Sequence, residues 1–378
     1  MKILHVIESL GRGGAEQALV NLLPALSRRG HRCEVAALWG PYPLAQPLEE
    51  SGVPVHRIGL SHRWALWQGV QRLSALCARV RYDIVHAHLF FGGLYASLSR
   101  RAIRPGRIVV TFHNLGYDSY PAKTLWLKIR KRIDGRLMRR AVDGRTAVSD
   151  TTARHYERHL HLPEVAVIPM AVDVRAFEPV RADGGANRLS AYGIGGGDFA
   201  VVMSGRFVPE KGHRFLLEAL ELLRGRNLAP KVLCVGDGPL ASAIADERAR
   251  RGLDGQVILR GSLPNAELLG LVRAAHAVVM PSTNEGLPIS ALEAMALERP
   301  LLASRVGGLQ ALIEDGVSGL LVPPADPRAL AEGIARLMAD AGLRRRLGDA
   351  ARRRVEDAFS AEVVAAQWER YYTALAAA

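Results

Sequence analysis

The sequence predicts two α/β domains in tandem, each built on a doubly wound parallel sheet, and three observations carry that expectation. Short apolar runs alternate with helical periodicity from residue 2 to about residue 169, which is how strands buried on both faces of a parallel sheet read. The alternation lapses over residues 177–199, a stretch holding Gly, Asp and Pro that closes on Gly195-Gly196-Gly197, and it resumes at Ala200. At 378 residues the chain also exceeds the size at which one hydrophobic core keeps growing. Residues 1–176 are therefore expected as a first domain, 177–199 as a linker and 200–360 as a second domain.

The first domain opens on a buried strand at Lys2–Ile7, followed by Ser9-Leu10-Gly11-Arg12-Gly13-Gly14 and a helix from Ala15 to about Arg29. Glycines allow close backbone approach, and the free N–H groups that start the helix favour an anion; a tight turn with no ligand is the competing reading. The spacing is not that of a dinucleotide fingerprint, and no acidic residue ends the next strand at 33–38, which disfavours a nicotinamide cofactor. Further strands are predicted at 53–58, 83–88, 107–112, 144–149 and 165–169, with helices around 65–80, 92–101 and 122–141. Ligands in such folds gather beyond the carboxyl ends of the strands, where His86, His88 and His113 are expected. Of these, His113 in Thr111-Phe112-His113-Asn114 lies just past a strand and is the best candidate; His86 and His88 read equally well as structural histidines.

Residues 121–140 place Leu125, Trp126, Ile129, Ile133, Leu137 and Met138 at helical spacing on one face, with Lys123, Lys128, Arg130, Lys131, Arg132, Arg136, Arg139 and Arg140 on the other. A basic amphipathic helix of this kind suits an anionic membrane surface, and Trp64 and Trp67 beside His62 and Arg63 add a second interfacial element. A core-packing helix with a solvated basic face is the alternative.

In the second domain strands are predicted at 200–206, 231–238, 257–261, 277–282, 301–304 and 319–322, with helices at 212–223, 240–251, 265–275 and 288–297 and a turn near 309–313. Helices at about 327–339, 341–357 and 361–377 follow. Three of the strand-to-helix loops carry ligand chemistry. Arg206 and Lys211 lie five apart in Ser204–Gly212, a planar fork and a point charge of the kind that holds a diphosphate. Gly236 and Gly238 open a tight turn. Pro281–Pro300 sets Glu285 before a helix that starts near Pro288, with Glu293 about 8 Å further along its axis. Two carboxylates so placed bracket a hydroxyl-bearing ligand, or else complement the helix dipole and face solvent.

Composition narrows the partners. The apolar fraction of 49% and charged fraction of 23% are those of a globular protein, and the net charge of +13 favours an anionic partner. No zinc spacing, RNP-like aromatic motif or helix-turn-helix supports nucleic acid. Cys33, Cys77 and Cys234 lie in apolar segments and read as buried thiols. The start, MKILHVIESL, lacks the features of a secretory signal, so a cytoplasmic location is expected, peripheral on the inner membrane face if the basic helix docks. No Asp-any-Asp pair occurs, so fixed cations rather than a bridging metal are expected to carry phosphate charge.

At full length these features resemble the retaining glycosyltransferases of family 4. Glu285-Gly-Leu-Pro-Ile-Ser-Ala-Leu-Glu293 resembles the family's Glu-seven-residues-Glu motif and leads into EAMA, Pro300, Val306-Gly307-Gly308 and the EDGVSGLLVPPAD run of 314–326. GRFVPEKG (205–212) is similar to its donor-phosphate segment, residues 7–16 to its glycine loop and TFHN (111–114) to the segment holding its active-site histidine.

The resemblance implies a GT-B architecture, two Rossmann-like domains facing across a cleft, with the last helix returning to the first. It implies a nucleotide diphosphate sugar as substrate, a glycan or lipid-linked acceptor, and neither cofactor nor metal. Arg206 and Lys211 would hold the diphosphate with the Gly14 N–H, beside Gly13. Glu285 with Gly286 and Leu287 would meet the transferred sugar, Glu293 the ribose, and His113 would line the sugar and acceptor side. Gly236 belongs to the same expected site. The chain departs from the pattern at Met170, at Glu298 where Gly is usual, at Gln310-Ala311, and at Pro288, which removes a backbone donor. A sugar-nucleotide epimerase and a non-catalytic sugar-binding protein of the membrane surface are the alternatives.

Overall fold

A computed structural model describes residues 1–117, 125–182 and 188–378. The chain forms two compact units, Met1–Asp173 with Phe359–Ala378, and Val174–Ala358. The segment 177–199, expected as a linker, differs from that expectation. Where described, it belongs to the second unit as a helix at Glu178–Ala182 and a turn at Ser190–Tyr192. Arg352 anchors it through Glu178 at 2.7 Å, so charge pairing organises a stretch that has no apolar periodicity.

Seven parallel strands form the sheet of the first unit: β1 (Lys2–Ile7), β2 (Arg32–Ala37), β3 (Val55–Arg57), β4 (Ile84–His88), β5 (Arg107–Phe112), β6 (Gly144–Ala147) and β7 (Ala166–Val167). Their order is 3-2-1-4-5-6-7, so the direction of winding reverses between β1 and β4. Side chains alternate between the sheet faces. Ile3, Ile7, Ile84 and Val109 enter a core with the helix Gly14–Arg28 and the C-terminal helix Ala361–Ala377, whose Trp368 and Tyr372 are buried. Leu4, Val6, Val85, Ile108 and Val110 pack on the other face with Leu73 and Tyr95. The last helix thus completes the core of the first unit. The chain leaves and re-enters that unit side by side, Val172 pairing with Phe359 and Ala361.

The second unit repeats the plan with β8 (Ala200–Ser204), β9 (Lys231–Val235), β10 (Val257–Arg260), β11 (Ala277–Met280), β12 (Leu301–Ser304) and β13 (Leu320–Val322), in the order 10-9-8-11-12-13. Its switch point lies between β8 and β11, the strands that feed the Arg206–Lys211 loop and the Glu285 loop. The sequence therefore places its two richest loops at the crevice where open α/β sheets bind ligands. The three cysteines are buried and free.

Candidate active site

In the second unit three loops are pressed together backbone to backbone. Gly212 and Gly307 both have positive φ, 73° and 47°. A Cβ on Gly212 would stand 1.9 Å from the Pro281 carbonyl oxygen, and one on Gly307 1.7 Å from that of Glu285. Only glycine satisfies both demands, so the Glu285 loop is gripped from two sides. The Thr283 N–H donates to the Glu210 carbonyl at 2.8 Å, tying the same loop to the cationic one.

That grip brings Lys211 and Glu285 into contact. Lys211 Nζ donates to Glu285 Oε1 at 2.7 Å, and Ser282 Oγ donates to the same oxygen at 2.7 Å. The sequence treats the lysine as a phosphate ligand and the glutamate as a sugar ligand; the fold makes them one ion pair. Arg206 behaves differently. Its side chain is exposed and has no partner among the described residues, leaving a guanidinium fork at the end of β8.

Glu293 sits within the helix Ile289–Ala296 and is buried with Ala291, Leu292 and Met295. Burial raises its carboxyl to about 7, only partly offset by a hydrogen bond from Asn265. Asn265 is one donor where a buried carboxylate can accept several, and ligand hydroxyls would supply more. Leu287 is buried, and Pro288 lies just ahead of the helix as its cap residue. Gly236 gives its N–H to the Arg260 carbonyl and lets the Gly205 carbonyl approach its α-carbon, so it shapes the loop without that donor. Glu298 adopts φ 59°, the conformation that makes Gly usual there; ion pairs to Arg181 and Arg273 hold it.

In the first unit Gly13 caps the helix that begins at Gly14. The anion position expected at this helix start is taken by the chain itself: the Glu16 carboxylate folds back so closely that a Cβ on Gly13 would lie 2.3 Å from its Oε2. Ser9 Oγ donates to Glu16 Oε1 at 3.4 Å. Glutamate at the third helical position of Gly13-Gly14-Ala15-Glu16 supplies the Glu half of a capping box, without the Ser or Thr half, and is the sequence signal for this fold-back. Glu8, at the end of β1, accepts from the Phe91 N–H at 3.1 Å.

Histidines 5, 86, 88 and 113 gather because strand parity directs them to one sheet face. His86 Nδ1 meets the Tyr372 hydroxyl at 2.7 Å and its Nε2 the Thr111 hydroxyl at 2.6 Å. His5, His86 and His88 offer ring nitrogens within 4.8 Å of one another, but both nitrogens of His86 are committed, so the trio lacks three vacant lone pairs. His88 Nδ1 lies 3.0 Å from His113 Nε2, and His88 Nε2 lies 3.1 Å from His5 Nδ1. His5 enters this group unannounced, since a lone histidine in an apolar strand carries no spacing signal.

The helix Leu125–Arg140 differs from the expected face assignment; Lys123 and the rest of 121–124 lie outside the described residues. Leu127, Asp134 and Met138 face inward, while Leu125, Ile129 and Ile133 are exposed beside Lys128, Arg132 and Arg136. The reason is local. Asp134 accepts a short hydrogen bond from the Tyr117 hydroxyl, and Arg130 lies over Phe90, 4.1 Å from the ring centroid, turning the polar edge inward.

Comparison with known proteins accords with this geometry. Residues 12–176 match the family model Glycosyltransferase Family 4, and residues 189–354 match Glycosyl transferases group 1. The chain is 30% identical over 364 residues to the alpha-D-kanosaminyltransferase of Streptomyces kanamyceticus, covering 91% of each. It is 29% identical over 399 residues to the O-antigen chain mannosyltransferase C of Escherichia coli, covering 99% of each. The crystal structure of Anabaena HepE in complex with UDP-glucose superposes with a TM-score of 0.84 at 22% identity, over 99% of this chain and 100% of that one. The chain belongs to glycosyltransferase family 4, as a glycosyltransferase of the GT-B type.

Proposed function

We propose that this glycosyltransferase moves a hexose, with retention at the anomeric carbon, from a UDP or GDP sugar to a glycan or lipid-linked acceptor of cell-surface polysaccharide or glycolipid synthesis. One observation carries the reading: an arginine unpartnered among the described residues and the Lys211–Glu285 pair stand at the strand ends about one switch point, and a buried, under-solvated Glu293 lies on the helix that follows. Arg206 clamps the diphosphate. Lys211 turns from Glu285 to the phosphate as sugar hydroxyls take its place on the carboxylate. Glu293 accepts from the ribose diol. As the acceptor oxygen bonds to the anomeric carbon and the bond to phosphate breaks, the two cations stabilise the departing diphosphate, whose oxygen takes the acceptor's proton. No separate cofactor enters. The relatives named for kanosaminyl and mannosyl transfer, and the neighbour crystallised with UDP-glucose, support a nucleotide sugar donor.

Thermal unfolding against UDP-glucose, UDP-galactose, UDP-N-acetylglucosamine and GDP-mannose tests this. The donor that fits should stabilise the protein by roughly 2.7 kcal/mol at 100 times its dissociation constant. Stabilisation by none of them, with no nucleoside diphosphate released, would refute the reading.

The acceptor is met at an anionic membrane surface. Trp67 is 83% and Leu125 73% exposed. Trp64 contacts Phe91, Phe91 contacts Phe90 and Arg130 covers Phe90, so a run of ring contacts links the tryptophan loop to the basic helix. Among the described residues no helix is long and apolar enough to cross a membrane. Vesicles containing phosphatidylglycerol should bind the protein, phosphatidylcholine vesicles should not, and added salt should release it because each basic residue near the surface contributes about 1 kcal/mol. Equal binding to both vesicle types, or binding unaffected by Ile129→Glu with Ile133→Glu, would remove the membrane surface from the proposal.

A further inference from the structure

Three imidazoles on neighbouring strands form a line: His5 on β1, His88 at the end of β4 and His113 just past β5. Their nitrogens meet at 3.1 and 3.0 Å, and the two terminal nitrogens, His5 Nε2 and His113 Nδ1, are buried without a partner among the described residues. Burial lowers all three rings, His5 to about 3, His113 to about 4 and His88 well below its usual value, so they are neutral near pH 7.

In a line of neutral imidazoles every contact needs one N–H and one bare nitrogen. The tautomers are then coupled, and only two arrangements exist. Either His5 Nε2 is bare and His113 Nδ1 carries hydrogen, or the reverse holds. His5 is wholly buried, and an orphaned N–H in a core is less tolerated than an orphaned lone pair. His113 as a residue is only partly buried and stands where ligands gather, so its Nδ1, covered here by the protein, is nonetheless the end of the line nearer a ligand oxygen.

We propose that His5 and His88 are positioning residues that lock His113 as a hydrogen-bond donor toward a sugar or acceptor oxygen. His5 Nδ1–H donates to His88 Nε2, and His88 Nδ1–H donates to His113 Nε2. His113 is left with an Nδ1–H to donate and no free lone pair, because its Nε2 accepts from His88. It therefore cannot act as the base that takes the acceptor's proton, which deepens the proposed mechanism by leaving that proton to the departing diphosphate. The inference rests on the reading that places His113 at the substrate.

Nitrogen NMR of the full chain labelled with 15N-histidine reads the tautomers directly, His113→Ala and His5→Phe supplying assignments. His5, His88 and His113 should all show the Nδ1–H pattern; a His113 signal of the Nε2–H form or of imidazolium would overturn the lock. His5→Phe should mix the His113 tautomers and lower kcat about tenfold, one hydrogen bond's worth, with donor KM within about twofold. Turnover is followed with whichever of UDP-glucose or GDP-mannose the wild type uses. His5→Asn keeps an N–H at the Nδ1 position and should restore both readouts. An unaffected kcat in His5→Phe, or His5→Asn as slow as His5→Phe, overturns the positioning role. Should His5→Phe not fold, the wild-type tautomer pattern decides alone. Near-normal turnover of His113→Ala with the Nδ1–H pattern intact overturns the placement of His113 at the substrate.

Discussion

Arg206→Ala and Lys211→Ala should each lower kcat/KM by about 10²- to 10³-fold, the loss typical when one preorganised charge-stabilising group is removed. Their effects on stability should differ. Arg206 is exposed and unpartnered among the described residues, so its loss should leave Tm where it is. Lys211 holds Glu285, whose side chain is only 10% exposed, and its removal strands a carboxylate that keeps the Ser282 hydroxyl as a donor. Breaking such a pair from one side destabilises more than the pair itself stabilises. Lys211→Ala should therefore lose both rate and Tm, while Lys211→Ala with Glu285→Ala should regain Tm and stay slow. Steady-state kinetics and calorimetry on the four proteins check this. Turnover near wild type in both single variants would sink the site assignment, whatever happens to stability.

The contrast shows where sequence reading stops. Helix and strand order was legible because apolar periodicity survives in every element; the helices at 327–339, 341–357 and 361–377 appear at Pro327–Ala339, Ala341–Ala358 and Ala361–Ala377. The placing of Arg206 and Lys211 together in one loop past a strand was legible from the sequence. Their inequality was not, because the Lys211–Glu285 contact joins residues 74 apart and depends on two glycines that press the loops together. The histidine line was hidden for a similar reason. Parity in DIVHAH places His86 and His88 on one face, but only the sheet order sets β1 beside β4 and so His5 beside His88. On the helix Leu125–Arg140 periodicity showed an apolar and a basic face but not which would turn inward, and the buried Asp134 held by Tyr117, a polar residue in that inner face, carried no signal in the sequence.

Glu293→Gln should move stability and donor binding in opposite directions. The carboxyl titrates near 4.5 in the unfolded chain and at about 7 in the fold, because burial disfavours the charged form. The folded state thus holds more protons between these values, and stability falls as pH rises from about 4.5 to 7 and is level on either side. The full loss is roughly 3 kcal/mol above pH 7, from the shift of the one group. Removing the charge abolishes it, so at pH 8 the glutamine variant should unfold at a temperature about 5 °C or more above wild type, with the two converging at pH 4.5. Donor binding should respond in reverse. A ribose diol donates to a carboxylate, and two such charge-assisted bonds lost should weaken donor affinity roughly 10- to 100-fold. Since only the ionised form accepts fully, wild-type affinity should tighten from pH 6 to 8 and that of Glu293→Gln should not. Thermal melts across this range, with and without donor, measure both arms. A wild-type stability that is flat between pH 5 and 7.5 would deny the buried charge, and unchanged affinity in the variant would deny the ribose contact. Both outcomes as expected would mean that Glu293 is kept charged in the core for the ligand, at the expense of the fold.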